Sequence, residues 1–171
     1  ILSHLDELAI DKDLINAICF FGTSNDKNIF NIVDLKNRLN LINNLKEKAN
    51  FSKIQKVVSR VSKLAKKGNL KTDILLSSGY INPELFEKEC EKNVFQFIKE
   101  LEKFISTFNG NYLKLFDLFD SNASCLDELF DNEKGVLIMS DDPLIRKNRL
   151  NLLGMVRNFS LRMIDFTLLN S

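Results

Sequence analysis

Residues 52–67 read SKIQKVVSRVSKLAKK, and this segment has the clearest periodicity in the chain. Its apolar residues recur at intervals of three and four, which places them on one face of an α-helix. Ser52 is a suitable N-cap and Gly68 a suitable end, so the sequence predicts a helix of about four turns. The apolar positions are Ile54, Val57, Val58, Val61, Leu64 and Ala65.

Similar spacing and boundary signals predict further helices on both sides of this segment. Asn82-Pro83 and Asp142-Pro143 are the clearest starts, because Asn or Asp caps a helix and Pro fits its first turn. Residues 135–139 (GVLIM) are too short to classify by period, and either a buried turn or one strand fits them. The predicted helices cover residues 13–21, about 29–48, 82–109, 112–119, 124–130 and from 142 nearly to the end.

About seven helices without a convincing sheet predict an all-α fold, a helical bundle with short connections. The length of 171 residues and the 44% hydrophobic content are typical of one globular domain over residues 1–171. The chain begins at Ile1 inside amphipathic sequence, so we expect it to be a piece of a longer protein. Most of the 14 Phe lie at helical core spacing, and we assign them to packing.

The cysteines and the hydropathy pattern indicate where the protein functions. Cys19, Cys90 and Cys125 are odd in number and widely spaced, which argues against a disulfide framework and against a zinc site. No apolar run approaches the roughly 18 residues of a membrane span, and no signal-peptide pattern is present. We therefore expect no membrane association and a cytoplasmic location, with the plastid stroma as an alternative compartment.

Catalytic motifs are not found in the sequence. His4 is the only histidine, and the chain has neither a Gly-rich phosphate loop nor a nucleophile elbow. The acidic residues between Asp127 and Glu133 lack the alternating spacing of a calcium loop, so we interpret them as a solvated helix face. We expect no catalytic residue, no metal and no cofactor in this chain.

Positive charge is concentrated in one part of the chain. Between Lys46 and Lys71 nine Lys or Arg residues face a single acid, Glu47. At about 100° per residue, five cations of the helix at 52–67 fall within a strip about 80° wide, centred roughly 120° from the middle of the apolar face. We name these five residues the cationic ridge: Lys53, Lys56, Arg60, Lys63 and Lys67.

Such a ridge is typical of proteins that bind nucleic acid backbones, because the release of condensed counterions supplies most of the sequence-independent affinity. The alternative is a face that only keeps the protein in solution. A second basic group on the last predicted helix, Arg146, Lys147, Arg149 and Arg157, favours RNA binding, and we include Arg146, Arg149 and Arg157 with the ridge as predicted RNA contacts. Candidate base contacts are Arg60, Arg149 and Tyr80 for stacking, and Gln55, Asn69 and Asn148 for base edges.

The C-terminal segment carries a family resemblance. Residues 141–153 (DDPLIRKNRLNLL), followed by RNF at 157–159 and IDF at 164–166, resemble the end of the glycyl-tRNA synthetase beta subunit. The stretch Asp-Pro-Leu-Ile-Arg is also similar to the DALR signature of the related anticodon-binding domain in arginyl-tRNA synthetases. Residues 58–65 and 82–87 resemble two upstream family elements, whereas residues 129–135 contain more polar residues than the family pattern has.

The resemblance implies a DALR-like anticodon-binding domain at the C-terminal end of a longer beta subunit. It further implies a glycine–tRNA ligase of two alpha and two beta subunits, in which the alpha subunit binds ATP, with Mg, and glycine. The partners implied are tRNA-Gly and the alpha subunit. In this interpretation the domain binds the anticodon stem-loop and is not catalytic by itself.

Two other interpretations compete with this one. A helical protein-interaction module for subunit assembly would use its basic face to bind an acidic partner surface. A DALR domain of an arginyl-tRNA synthetase is disfavoured by the ending DFTLL at 165–169, because that family usually finishes on a G-L-x-L-L-G-like tail. Salt-sensitive binding to tRNA-Gly would favour an RNA-binding domain, and co-purification with the alpha subunit without RNA binding would favour the assembly module.

Overall fold

The computed structural model describes residues 16–18 and 32–169, and these residues form an all-α bundle. Residues 16–18 are helical, and the described residues contain no β-strand, so the predicted fold class with about seven helices is confirmed. The rest of the helix predicted at 13–21, His4 and Cys19 lie outside the described residues. The elements from residue 32 onward are α1 (Ile32–Lys46), α2 (Ala49–Ala65), a 3₁₀ turn (Pro83–Leu85), α3 (Glu89–Ser106), α4 (Tyr112–Ser121), α5 (Ala123–Glu128), α6 (Pro143–Leu161) and a second 3₁₀ turn (Phe166–Leu168).

The last long helix, α6, lies at the centre of the bundle. Every residue from Asn148 to Leu161 is buried, and α6 packs against both α2 and α3. Phenylalanines fill the space around α2, as the sequence predicts: the ring of Phe51 lies 6.0 Å from that of Phe116 and 5.9 Å from that of Phe166. The amphipathic face of α2 therefore joins the centre of the bundle to α4 and to the second 3₁₀ turn.

The start of α2 differs from the prediction. The helix begins at Ala49, with Lys48 in extended conformation before it, and Ser52 lies inside the helix, so the predicted N-cap is wrong. The earlier start places Phe51 on the helix, where its side chain is 3% exposed. Burial of an aromatic ring stabilises the fold by more than a serine cap, which accounts for the difference.

The long helix predicted at 82–109 is interrupted. Asn82 caps only a 3₁₀ turn by accepting a hydrogen bond from the Glu84 backbone, and Phe86 is extended. The α-helix starts at Glu89, because the Glu91 carboxylate accepts the backbone N–H groups of Glu87 and Lys88 at 2.8 and 3.1 Å. A carboxylate at the third helical position that bonds back in this way defines a helix start of its own.

Residues 135–139 form a turn and not a strand. Gly135 donates to the Asp131 carbonyl at 3.1 Å, and Val136 donates to the Leu129 carbonyl at 3.1 Å. A Cβ atom on Gly135 would lie 2.6 Å from the Leu129 carbonyl oxygen and would also meet backbone atoms of Asp131. Only glycine fits this close approach of two backbone segments.

We expect Gly135→Ala to lower the free energy of unfolding by about 2–3 kcal/mol, since the added methyl group must displace backbone and disturb two hydrogen bonds. Urea unfolding followed by circular dichroism measures the change. The control is Lys134→Ala, an exposed neighbour that should stay within about 0.5 kcal/mol of the unchanged chain. Equal stability of the two variants would show that the turn relaxes without cost.

Candidate nucleic-acid interface

The cationic ridge forms an exposed face of α2 and its C-terminal extension. All five of its side chains are exposed, while the apolar positions predicted on the other face are buried, apart from the half-buried Leu64. Helix α2 contains no acidic residue, and within residues 16–18 and 32–169 no ridge cation forms an ion pair. The ridge therefore presents uncompensated positive charge to solvent, and its contact with RNA stays a prediction.

Arg60 is the most constrained cation of the ridge. Its guanidinium carbon lies 4.2 Å from the centre of the Phe130 ring, which is within cation–π distance. Phe130 belongs to the turn that follows α5, so this contact ties the ridge to the acidic part of the chain. Arg60 remains exposed, and its planar group stays available for contact with a phosphate or a base.

Arg149 is buried, which corrects its predicted role as an RNA contact. Its Nε donates to Glu91 at 2.9 Å, and its two Nη atoms donate to Glu87 and to the Leu137 carbonyl. Burial alone would lower the pKa of Arg149, but the two carboxylates outweigh it and raise that pKa above the usual value. Arg149 therefore stabilises the junction between α6 and the start of α3.

Arg157 is buried as well, and its predicted RNA contact is also wrong. The side chain is 7% exposed and donates to the Leu70 carbonyl at 2.7 Å and to the Asn158 side chain at 2.9 Å. Burial lowers the pKa of Arg157, and the charge of Asp165 offsets this only in part. Arg146 is half-buried and donates to the Ser140 carbonyl at 2.9 Å, so it holds the chain ahead of α6.

Three asparagines of α6 hold the segment 69–82, which has no helix of its own. Asn148 exchanges two hydrogen bonds with the Asn82 backbone, at 2.8 and 2.9 Å, so its predicted role in reading bases is wrong. Asn151 donates to the Tyr80 carbonyl, and Asn158 donates to two carbonyls farther upstream, each at 2.7 Å. The sequence shows the spacing of these three amides along one helix, but it does not show which backbone groups they bind.

The other candidate base contacts, Gln55, Asn69 and Tyr80, differ in whether a ligand can reach them. Gln55 donates to the Leu169 carbonyl at 3.2 Å, which gives it a structural role. Asn69 and Tyr80 are exposed, and Tyr80 has 43% of its surface open to solvent. Tyr80 is therefore the aromatic residue of this segment that a ligand can reach.

An open cavity of about 260 Å³ lies where the segment 69–82 meets the start of α6, and we name it the Tyr80 pocket. It cannot be predicted from the sequence, because its walls come from residues about 65 positions apart in the chain. No acidic residue lines it. Its lining residues are Gly79, Tyr80, Ile81, Asn82, Leu85, Leu144, Lys147, Asn148 and Asn151.

Residues 16–18 and 32–169 show neither a cluster of metal ligands nor a membrane span. Among these residues, no group of three or more His, Cys, Asp or Glu side chains is placed to hold a metal ion. None of the described helices has the length and apolar composition needed to cross a membrane.

Comparison with known proteins relates the chain to one group of enzymes. Three relatives, each a glycine–tRNA ligase beta subunit, come from Picosynechococcus sp. (35% identical over 164 residues), Acaryochloris marina (30% over 164) and Synechocystis sp. (32% over 172). The matches cover 94% of this chain but only 23–24% of each relative, so the chain spans about a quarter of their length. No protein-family model matches the chain. The homologues confirm the resemblance to glycyl-tRNA synthetase beta subunits.

We expect Arg149→Ala to lower the free energy of unfolding by about 3–5 kcal/mol, because it leaves Glu91, which is fully buried, without its cationic partner. Thermal and urea unfolding measure the loss. The matched control is Lys147→Ala, an exposed cation on the same helix that should change stability little. Unchanged stability of the Arg149 variant would contradict the structural role and return this arginine to the candidate RNA contacts.

Proposed function

We propose that this chain, which is homologous over 94% of its length to glycine–tRNA ligase beta subunits, is the anticodon-binding domain of such a subunit. In this proposal it is a single domain that binds the anticodon stem-loop of tRNA-Gly through the cationic ridge. The observation that carries the proposal is the exposure of four aligned cations on α2, a helix without an acidic residue, and of a fifth, Lys67, just beyond its end. The predicted contacts that remain are Lys53, Lys56, Arg60, Lys63, Lys67 and the half-buried Arg146.

The physical basis is the electrostatics of RNA. A phosphate backbone holds condensed counterions, and each cation that replaces one gains the entropy of its release. A compensating carboxylate beside a ridge cation would remove most of that gain, and α2 supplies none. The backbone of the ridge is fixed, since the opposite face of α2 is packed in the core, so RNA binding would cost rotamer freedom of the exposed side chains but little backbone entropy.

The remainder of the proposed enzyme lies beyond this domain. The holoenzyme would join glycine to tRNA with ATP, and the ATP and Mg site would belong to the alpha subunit of a two-alpha, two-beta assembly. The domain would supply binding energy and position the tRNA. Loss of its contacts should raise the KM for tRNA, and it should lower kcat if the acceptor end is misplaced. A cytoplasmic or plastid location fits this role.

A second candidate, a module for subunit assembly, is favoured by one observation. Leu137, Met139 and Leu144, which lie just before and at the start of α6, are 68%, 40% and 65% exposed. Exposed apolar side chains of this size close together in the chain are typical of protein interfaces. In this alternative the partner is the alpha subunit, and the ridge would contact acidic protein surface instead of RNA.

We expect replacement of four ridge lysines, Lys53, Lys56, Lys63 and Lys67, by alanine to lower the slope of log K against log salt by about 3 for the tRNA-Gly anticodon stem-loop. Arg60 is left in place, because replacing it would remove its contact with Phe130 and so change the stability of the protein as well as its binding to RNA. Gel-shift titrations at several salt concentrations measure the slope.

The control variant replaces four exposed lysines elsewhere, Lys36, Lys103, Lys114 and Lys134, and so carries the same net charge. It should keep nearly the full slope. An equal loss in both variants would mean that net charge and not the ridge determines binding. Absence of RNA binding by the unchanged chain, together with capture of the alpha subunit, would favour the assembly module.

A further inference from the structure

We propose that the Tyr80 pocket binds a single unstacked nucleobase from an RNA loop. This inference rests on the proposed function and deepens it, because the ridge can bind any phosphate backbone whereas a pocket can distinguish a loop from a duplex. Recognition of single-stranded RNA requires a surface on which a base can stack and polar groups that meet its edge. The pocket offers both.

The size and the walls of the pocket suit one base. A cavity of about 260 Å³ lies just below the range of roughly 300–1,000 Å³ that holds drug-sized ligands. It therefore fits a single ring system and not a stretch of chain. Tyr80 supplies an exposed aromatic ring, and Leu85 and Leu144 supply apolar surface.

The polar groups of the pocket are held in fixed positions. Asn151 donates its Nδ2 to the Tyr80 carbonyl at 2.7 Å, which orients the amide. Its Oδ1 accepts no hydrogen bond from any described residue, so it can accept one from the amino group or ring N–H of a base. Asn148 uses both ends of its amide on the Asn82 backbone and forms a rigid wall.

Charge around the pocket favours a nucleotide. Lys147 lines the pocket, is exposed, and forms no ion pair within the described residues, so it is available to a flanking phosphate. No carboxylate lines the pocket to repel that phosphate. A cation beside an apolar slot with an aromatic wall matches the chemistry of a base with its phosphate.

The pocket is also close to the end of the ridge. A Cβ atom on Gly68 would lie 3.0 Å from Cβ of Leu150, so the end of α2 touches α6 at that residue. Lys147 is three residues before Leu150, which is about 4.5 Å along the helix axis, and Asn151 is the next residue. Lys67, the last cation of the ridge, directly precedes Gly68, so the end of the ridge lies beside the part of α6 that lines the pocket.

The test compares two RNAs with the full 171-residue chain: a stem-loop with an unpaired loop, and a fully paired duplex with the same number of phosphates. Tyr80→Ala should weaken stem-loop binding by about 5- to 150-fold, the range for loss of one stacked base, and leave duplex binding unchanged. Tyr80→Phe keeps the ring and should bind the stem-loop nearly as well as the unchanged chain. Lys147→Ala should weaken binding to a smaller extent.

Leu144→Ser provides a second, independent variant, because this side chain is 65% exposed and its loss should not impair folding. It should also weaken binding of the stem-loop selectively. Equal weakening of both RNAs, or no change in either with the Tyr80 and Leu144 variants, overturns the pocket while the proposed function stands. If the unchanged chain binds neither RNA, the proposed function itself fails, and the pocket with it.

Discussion

Burial of α6 on every side from Asn148 to Leu161 is the constraint on which the rest of the structure depends. From Asn148 to Leu161 each residue is shielded from solvent, although five of them are Asn or Arg with charged or strongly polar groups. A buried polar group without a partner costs on the order of 1–3 kcal/mol, so each of these side chains must find one. Arg149 pairs with Glu91, Asn148 bonds with the backbone of Asn82, and Asn151, Arg157 and Asn158 donate to backbone carbonyls of the segment 69–82. The central helix thereby fixes an irregular segment and the start of α3 together.

The sequence is sufficient where local periodicity decides the structure. The apolar stripe of α2, the exposure of the ridge and the start of α6 at Pro143 all follow from spacing and capping, because these depend on residues within a few turns. The start of α3 does not follow from spacing and capping, since two start signals compete in this part of the sequence. Asn82 with Pro83 is the more familiar signal, but the buried Glu91 carboxylate satisfies two backbone donors and defines the longer helix.

The candidate site was only partly predictable for a related reason. Helical geometry shows that Arg146, Arg149 and Arg157 share a face, but it does not show whether another segment covers that face. Different segments cover it: Glu91 and the Leu137 carbonyl bind Arg149, whereas the segment 69–82 binds Arg157. The segment 69–82 has no periodicity of its own, so nothing in the sequence places it against α6. In the sequence, the polar side chains of α6 that bind this segment cannot be distinguished from surface residues. Asn148 is the plainest case, because both ends of its amide are occupied by the backbone of Asn82.

In the proposed function, the arrangement separates affinity for RNA from selectivity for a loop. The affinity from counterion release along the ridge would fall steeply as salt rises and would not depend on base sequence, whereas the Tyr80 pocket would require an unpaired base. The two contributions come from different elements, α2 for the ridge and the segment 69–82 with α6 for the pocket. They meet where Gly68 touches Leu150, so any change in the seating of α2 on α6 alters the distance between phosphate contact and base contact. Because α6 is buried from Asn148 to Leu161, that distance is fixed, and a fixed spacing would allow a domain with a generic cationic face to select a loop of a particular shape.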